Sequence, residues 1–129
     1  MVVTGSVIVS GSNGGGVFSK NGTLADLTNG ISNSGSYIVW YAPFPASVQK
    51  VIGRREGGTA AEVNAFRSSS TGFSPHLSAN LSLTNTSEWF DGGAVQNQAY
   101  IAGNSLFVHI SGSAGNDQIA VQVDFVRTL

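Results

Sequence analysis

The sequence predicts an all-β protein, an antiparallel sandwich of jelly-roll type built from about eight short strands, with an arm or extended region at its N-terminus. Three observations predict it. Near the C-terminus, Leu106, Val108 and Ile110 alternate with Ser105, Phe107, His109 and Ser111, and Ile119, Val121, Val123 and Phe125 alternate with Ala120, Gln122, Asp124 and Val126. Strand side chains point to opposite faces with period two, so this alternation marks half-buried strands. The intervening Gly112-Ser113-Ala114-Gly115-Asn116-Asp117 is a turn cluster, so the pair reads as a hairpin. Finally, no window holds a 3.6-residue apolar period, and turn signals recur every ten or so residues.

The remaining elements follow in order. Val2 to Ser10 is β-prone, with Val7 and Val9 on one face and Ile8 on the other; Gly11 to Gly16 then bends the chain. That glycine run lacks the Gly-Lys-Ser/Thr ending and the helix of a phosphate cradle, so it reads as a turn or linker. Residues 22–36 are rich in Asn, Gly and Ser. Residues 1–35 therefore form either an arm that docks on a neighbouring chain or a meander of loops on the same domain. Residues 36–129 carry the sandwich, and the whole is a single domain. Tyr37 to Tyr41 is a strand rich in β-branched and aromatic residues, ended by Pro43 and Pro45. Ser47 to Arg55 is the next, with Val48 and Ile52 opposing Val51, and Arg54-Arg55-Glu56 as its exposed end. Ala61 to Ser68 follows, then Leu77 to Leu83, a short strand at Trp89-Phe90, and Val95 to Ile101.

Composition narrows the function. Of 129 residues, 41% are hydrophobic but only 10% are charged, against ~25% in an average soluble domain. Hydroxyls and amides replace charge on the surface, which leaves little repulsion against self-association. Six basic and seven acidic residues give a net charge of -1. There is no basic stripe for nucleic acid and no run near the ~18 apolar residues of a membrane span. Cysteine is absent, and the N-terminus lacks the pattern of a signal peptide. The expectation is a soluble protein made in the cytoplasm, with no cofactor and no metal.

No catalytic constellation has the required spacing. His76 and His109 stand far apart, without ligand spacing. His76 follows Pro75 in a turn; His109 alternates out from the core face of its strand. No Gly-x-Ser-x-Gly elbow exists. Glu88 and Asp91 flank Trp89-Phe90, as in a sugar-binding groove, but three apart on an extended segment they point to opposite faces. The expectation is therefore not an enzyme.

Several phrases in order carry a family resemblance. They are Trp40-Tyr41-Ala42-Pro43-Phe44, Lys50-Val51-Ile52-Gly53-Arg54 to Gly57-Gly58-Thr59, Val63-Asn64-Ala65, Leu81-Ser82-Leu83-Thr84, Trp89 to Asn97, Ala102 to Leu106, and Ile119 to Phe125. Over about residues 36 to 127 the chain resembles the small jelly-roll modules of tailed-phage structural proteins. Such modules occur as capsid decoration (cement) proteins and within tail or fibre proteins. The resemblance implies a homotrimer on the capsid surface of a virion, with the major capsid protein as partner and no active site to carry over.

On that reading, Val2, Val3, Val7, Ile8, Val9 and Phe18 are the capsid-contact residues of the arm. Phe66, Phe107 and His109 lie opposite the core face of their strands and are interface candidates. The alternative is a tail-associated receptor- or carbohydrate-binding module using Trp40, Tyr41, Trp89 or Tyr100 as a stacking platform. A glycan hydrolase using Glu88 and Asp91 ranks third.

Overall fold

The computed structural model describes residues 16–25 and 34–128. Among them it holds ten strands and no helix. The strands are β1 Val17–Ala25, β2 Ser34–Tyr41, β3 Ala46–Gly57, β4 Ala61–Ser69, β5 Gly72–Pro75, β6 Leu81–Ser82, β7 Phe90–Asp91, β8 Ala99–Tyr100, β9 Ser105–Gly112 and β10 Asn116–Arg127. Two antiparallel sheets face each other. One has the order β1-β10-β3-β7, with β8 also paired to β3; the other has β2-β9-β4-β5, with β6 also paired to β4. Of the described strands, the first thus pairs the last, the second pairs the last but one, and β1 to β4 alternate between the sheets. That is an antiparallel ribbon wound around one core, the winding of a jelly roll.

The inward faces explain the ladder. Val48, Val51, Val63, Ala65, Leu83, Leu106, Val108, Ile110, Ile119, Val121, Val123 and Phe125 are buried between the sheets. One end of the sandwich is aromatic. Phe125 stacks on Phe18 at 5.4 Å between ring centroids and approaches Trp40 at 4.8 Å; Phe44 and Tyr100 complete the group. Near the middle, Gly22 of β1 lets the two sheets close, because a Cβ there would collide with the Val108 side chain.

The structure revises several expected elements. Val17–Ala25, within the region read as an arm or an extended strand/loop region, is a strand that pairs with β10 along its whole length, from Val17 opposite Val126 to Ala25 opposite Gln118. The boundary expected at residue 35 falls inside β2. The strand expected over Leu77 to Leu83 shrinks to Leu81–Ser82, and β5 carries no expectation from the sequence. In β3, Val48 and Val51 share the core face, whereas Ile52 points outward. The cause is a bulge: Lys50 faces Asp124 and Val48 faces Phe125, so Gln49 is the extra residue and the alternation skips a step. The expected strand over Val2 to Ser10 lies outside the described residues.

Arg55 is the largest departure. Expected at an exposed strand end, it is 3% exposed and sits on the core-facing side, opposite Ile119. Its guanidinium donates to five backbone carbonyls: Leu83 at 2.6 Å, Gly57 at 2.7 Å, Gly58 at 2.9 Å, Thr84 at 3.0 Å and Thr59 at 3.2 Å. Gly57 and Gly58 have φ of +73° and +71°, a left-handed pair that curls the turn carbonyls toward the guanidinium. Asn116, also buried, donates to the Gly57 carbonyl at 3.0 Å and holds the same turn from β10.

Candidate functional site

The two outer faces of the sandwich differ in chemistry. On the second sheet, the register aligns Ile38, Phe107, Phe66 and Pro75 in one row across β2, β9, β4 and β5. The next row runs Tyr41, Ser105, Ser68 and Phe73. Ile38, Tyr41 and Phe73 are 67%, 64% and 62% exposed. Phe73 meets Phe107 edge-on at 5.1 Å. On the other side of the band, His109 stands between Ser36 and Asn64, with Ser36 Oγ 3.3 Å from its Nδ1. Asn64 is buried because it holds the next loop: its Nδ2 donates to the Leu77 carbonyl at 3.2 Å and its Oδ1 accepts from Leu77 N–H at 3.2 Å.

The outer face of the first sheet is polar. Ser19, Asn21 and Thr23 of β1 stand beside Asp124, Gln122 and Ala120 of β10, which in turn face Lys50, Ile52 and Arg54 of β3. Toward β7 the surface dips into a cleft of about 190 Å³ lined by Arg54, Glu56, Trp89, Gln118 and Ala120. Arg54 Nε donates to Glu56 at 2.7 Å, and Ser87 Oγ donates to its other oxygen at 2.6 Å. The Ser87 hydroxyl and the Arg54 guanidinium hold the Glu56 carboxyl below its usual value, so it is charged at neutral pH.

Beneath the second sheet lies a buried polar pair. His76 Nδ1 bonds the Gln96 carbonyl at 3.1 Å, which requires a proton on Nδ1. Nε2 therefore accepts, and Tyr100 O–H donates to it at 2.8 Å. Burial pushes His76 down to about 4, against the Gln96 bond and with help from the nearby Arg67 charge. Burial also raises the Tyr100 hydroxyl above its ordinary value. The pair is neutral at pH 7 and serves packing.

The expected site residues divide accordingly. Phe66, Phe107 and His109 lie together on the outer face of the second sheet. The structure adds Ile38 and Phe73, whose strand registers the sequence does not reveal. Phe18, expected in a capsid-binding arm, is half-buried in the aromatic end of the core, where β10 pairing fixes it. Val2, Val3, Val7, Ile8 and Val9 lie outside the described residues. Of the four platform rings, Tyr100 is 1% exposed and is excluded by burial. Trp40 packs on Phe18, Phe44 and Phe125. Tyr41 belongs to the apolar band, and Trp89, 45% exposed, lines the polar cleft. Glu88 and Asp91 are both exposed; Asp91 pairs with Lys50 at 3.7 Å and accepts from Gly93 N–H at 2.8 Å. Among the described residues, no three His, Cys, Asp or Glu side chains gather as a metal site.

The sequence matches no family model and no curated protein. Among solved structures, the chain is similar to one described as "Cyanophage Pam1 capsid asymmetric unit", with a TM-score of 0.41 and 13% identity over 97% of this chain and 94% of that one. A likeness at that level does not establish a shared fold.

Proposed function

We propose that this chain is a structural protein of a bacteriophage particle, a non-catalytic decoration module that binds the assembled shell as a homotrimer and stabilises it. The observation that carries this reading is the apolar band on the outer face of the second sheet. Its two register rows contain no charged side chain, and three of its large side chains are more than half exposed. A contiguous exposed apolar patch marks a contact surface. Contacts between copies through Phe107 and Phe66, bordered by His109, remove that surface from water. A net charge of -1 sets little repulsion between copies. The resemblance of residues 36 to 127 to tailed-phage modules supports the same role, with the major capsid protein as the second partner. A module that binds only the assembled shell stabilises it by mass action.

Copy number tests the role. Quantitative mass spectrometry on the phage's virions should find hundreds of copies in fixed ratio to the coat protein. A handful to a few tens would move the chain to the tail and favour a receptor-binding module, and absence from particles would end the structural reading. Sedimentation tests the assembly. The wild-type chain should run as a trimer, and Phe107→Asp, placed on an outer face, should run as a folded monomer. A wild-type monomer at ~100 μM would remove the trimer.

A further inference from the structure

The cleft beside Trp89 has a different chemistry from the apolar band and lies on the opposite outer face. Phe90, the first residue of β7, is half-buried against the core, and Trp89 just before it is exposed and lines the cleft. Ala120, opposite Arg54, supplies a small apolar patch in the same cleft, which Trp89 lines together with the Arg54–Glu56 pair. Glu56 and Gln118 are likewise register partners across β3 and β10. The cleft therefore combines one aromatic face, one carboxylate, one guanidinium and one amide.

Its magnitudes select among ligands. At about 190 Å³ it is smaller than the ~300–1,000 Å³ pockets that bury drug-sized molecules. One ring fits; a cofactor does not. The charges cancel within the Arg54–Glu56 pair, so neither an anion nor a cation has a net attraction to the site. Both partners are already fixed, Glu56 by two hydrogen bonds, so little side-chain entropy is lost on binding. The second lone pairs of the Glu56 oxygens accept, and the Arg54 terminal nitrogens, which have no hydrogen-bond partner among the described residues, donate. Adjacent hydroxyls on a ring both donate and accept and so match this set. An apolar ring face stacks on an indole.

We infer that this cleft is a binding site for a neutral saccharide, with a pyranose ring stacked on Trp89 and its hydroxyls bonded to Glu56, Arg54 and Gln118. Beyond the cleft this outer face carries the hydroxyls and amides of Ser19, Asn21, Thr23 and Gln122, with Asp124, Lys50 and Ile52 among them, and a longer glycan would extend along it. The site is independent of the apolar band, and of whether the chain sits on a shell or a tail.

The test uses the full chain on an array of neutral hexose and N-acetylhexosamine glycans, followed by titration of the best binders. The chain has two tryptophans. Binding should shift the Trp89 indole N–H resonance and leave that of Trp40 in place. Trp89→Ala should weaken binding about tenfold or more, the loss of one stacked ring. Glu56→Gln and Gln118→Ala should each weaken it several-fold. No binding to any neutral glycan at millimolar concentration would overturn the inference. So would binding that Trp89→Ala leaves unchanged, or an indole shift produced by proline-rich peptides and by no sugar. The indole shift is read on the wild-type chain, so it decides the matter even where a variant folds poorly.

Discussion

The two ends of the sandwich are closed by opposite chemistry. At one end, Phe18, Trp40, Phe44, Tyr100 and Phe125 pack ring against ring. Lys20 and Arg127 rest over the outer rings, 5.4 Å from Trp40 and 4.3 Å from Phe44. At the other end, one buried guanidinium gathers five carbonyls from the end of β3, its turn, and the Leu83–Thr84 segment. The first end is held by apolar area, which is tolerant of shape but large. The second is held by directed bonds to groups that would otherwise lie unpaired. An unpaired buried polar group costs more than its bond contributes, so the polar end should be more brittle than the aromatic one.

That contrast can be broken in order of size. Arg55→Ala strands up to five carbonyls and should cost about 4 kcal/mol or more, read by urea unfolding. Arg55→Lys should recover little, because one ammonium cannot span the fork. If Arg55→Ala costs under about 1 kcal/mol, water satisfies those carbonyls and the end is not brittle. Phe125→Ala should cost about 3–5 kcal/mol by area and cavity, and Phe125→Leu much less, which shows tolerance at the aromatic end.

Acid adds a third, smaller effect at the aromatic end. His76 takes a proton in the unfolded chain near its ordinary value of 6.5 but only near about 4 when folded. Between those values the unfolded state binds the extra proton, so stability falls as pH falls. The full contribution is present above 6.5, and about 3 kcal/mol is lost by pH 4. Unfolding curves between about pH 7 and 5 should show this slope in the wild type, and His76→Gln should flatten it. Asn116→Ala, which removes one brace of the polar turn, should cost about 1–2 kcal/mol. Trp89→Ala, on the outer face, should move stability by no more than about 0.5 kcal/mol; a larger loss would mean the indole is structural.

The same contrast explains what is legible in the sequence. The β9 and β10 faces read directly, because Leu106, Val108 and Ile110 and then Ile119, Val121, Val123 and Phe125 are all apolar and inward, and the bulge opposite Phe125 places its extra residue in β3. β1 stays hidden because its inward positions are Phe18, Lys20, Gly22 and Leu24. A lysine that reaches over Trp40 and a glycine that admits Val108 both break an apolar alternation. Two-residue strands such as β6 and β8 are too short to show any period. Arg55 is illegible because a buried arginine normally has a carboxylate partner, and its partners here are carbonyls, which leave no mark in a sequence. For the sites, Phe66 and Phe107 follow from facing away from the core. The Trp89 cleft does not, since Glu56 and Gln118 become neighbours only through the β3–β10 register.

The ribbon winding has a consequence for synthesis. β1 leaves the ribosome before the other described strands, yet its pairing partner β10 is made roughly a hundred residues later. At ~5–20 residues per second, β1 waits on the order of ten seconds with its ladder groups unmet. A strand with an open edge is a template for wrong pairing. Its outer positions Ser19, Asn21 and Thr23 are polar, and its ladder groups are met only once β10 has been made.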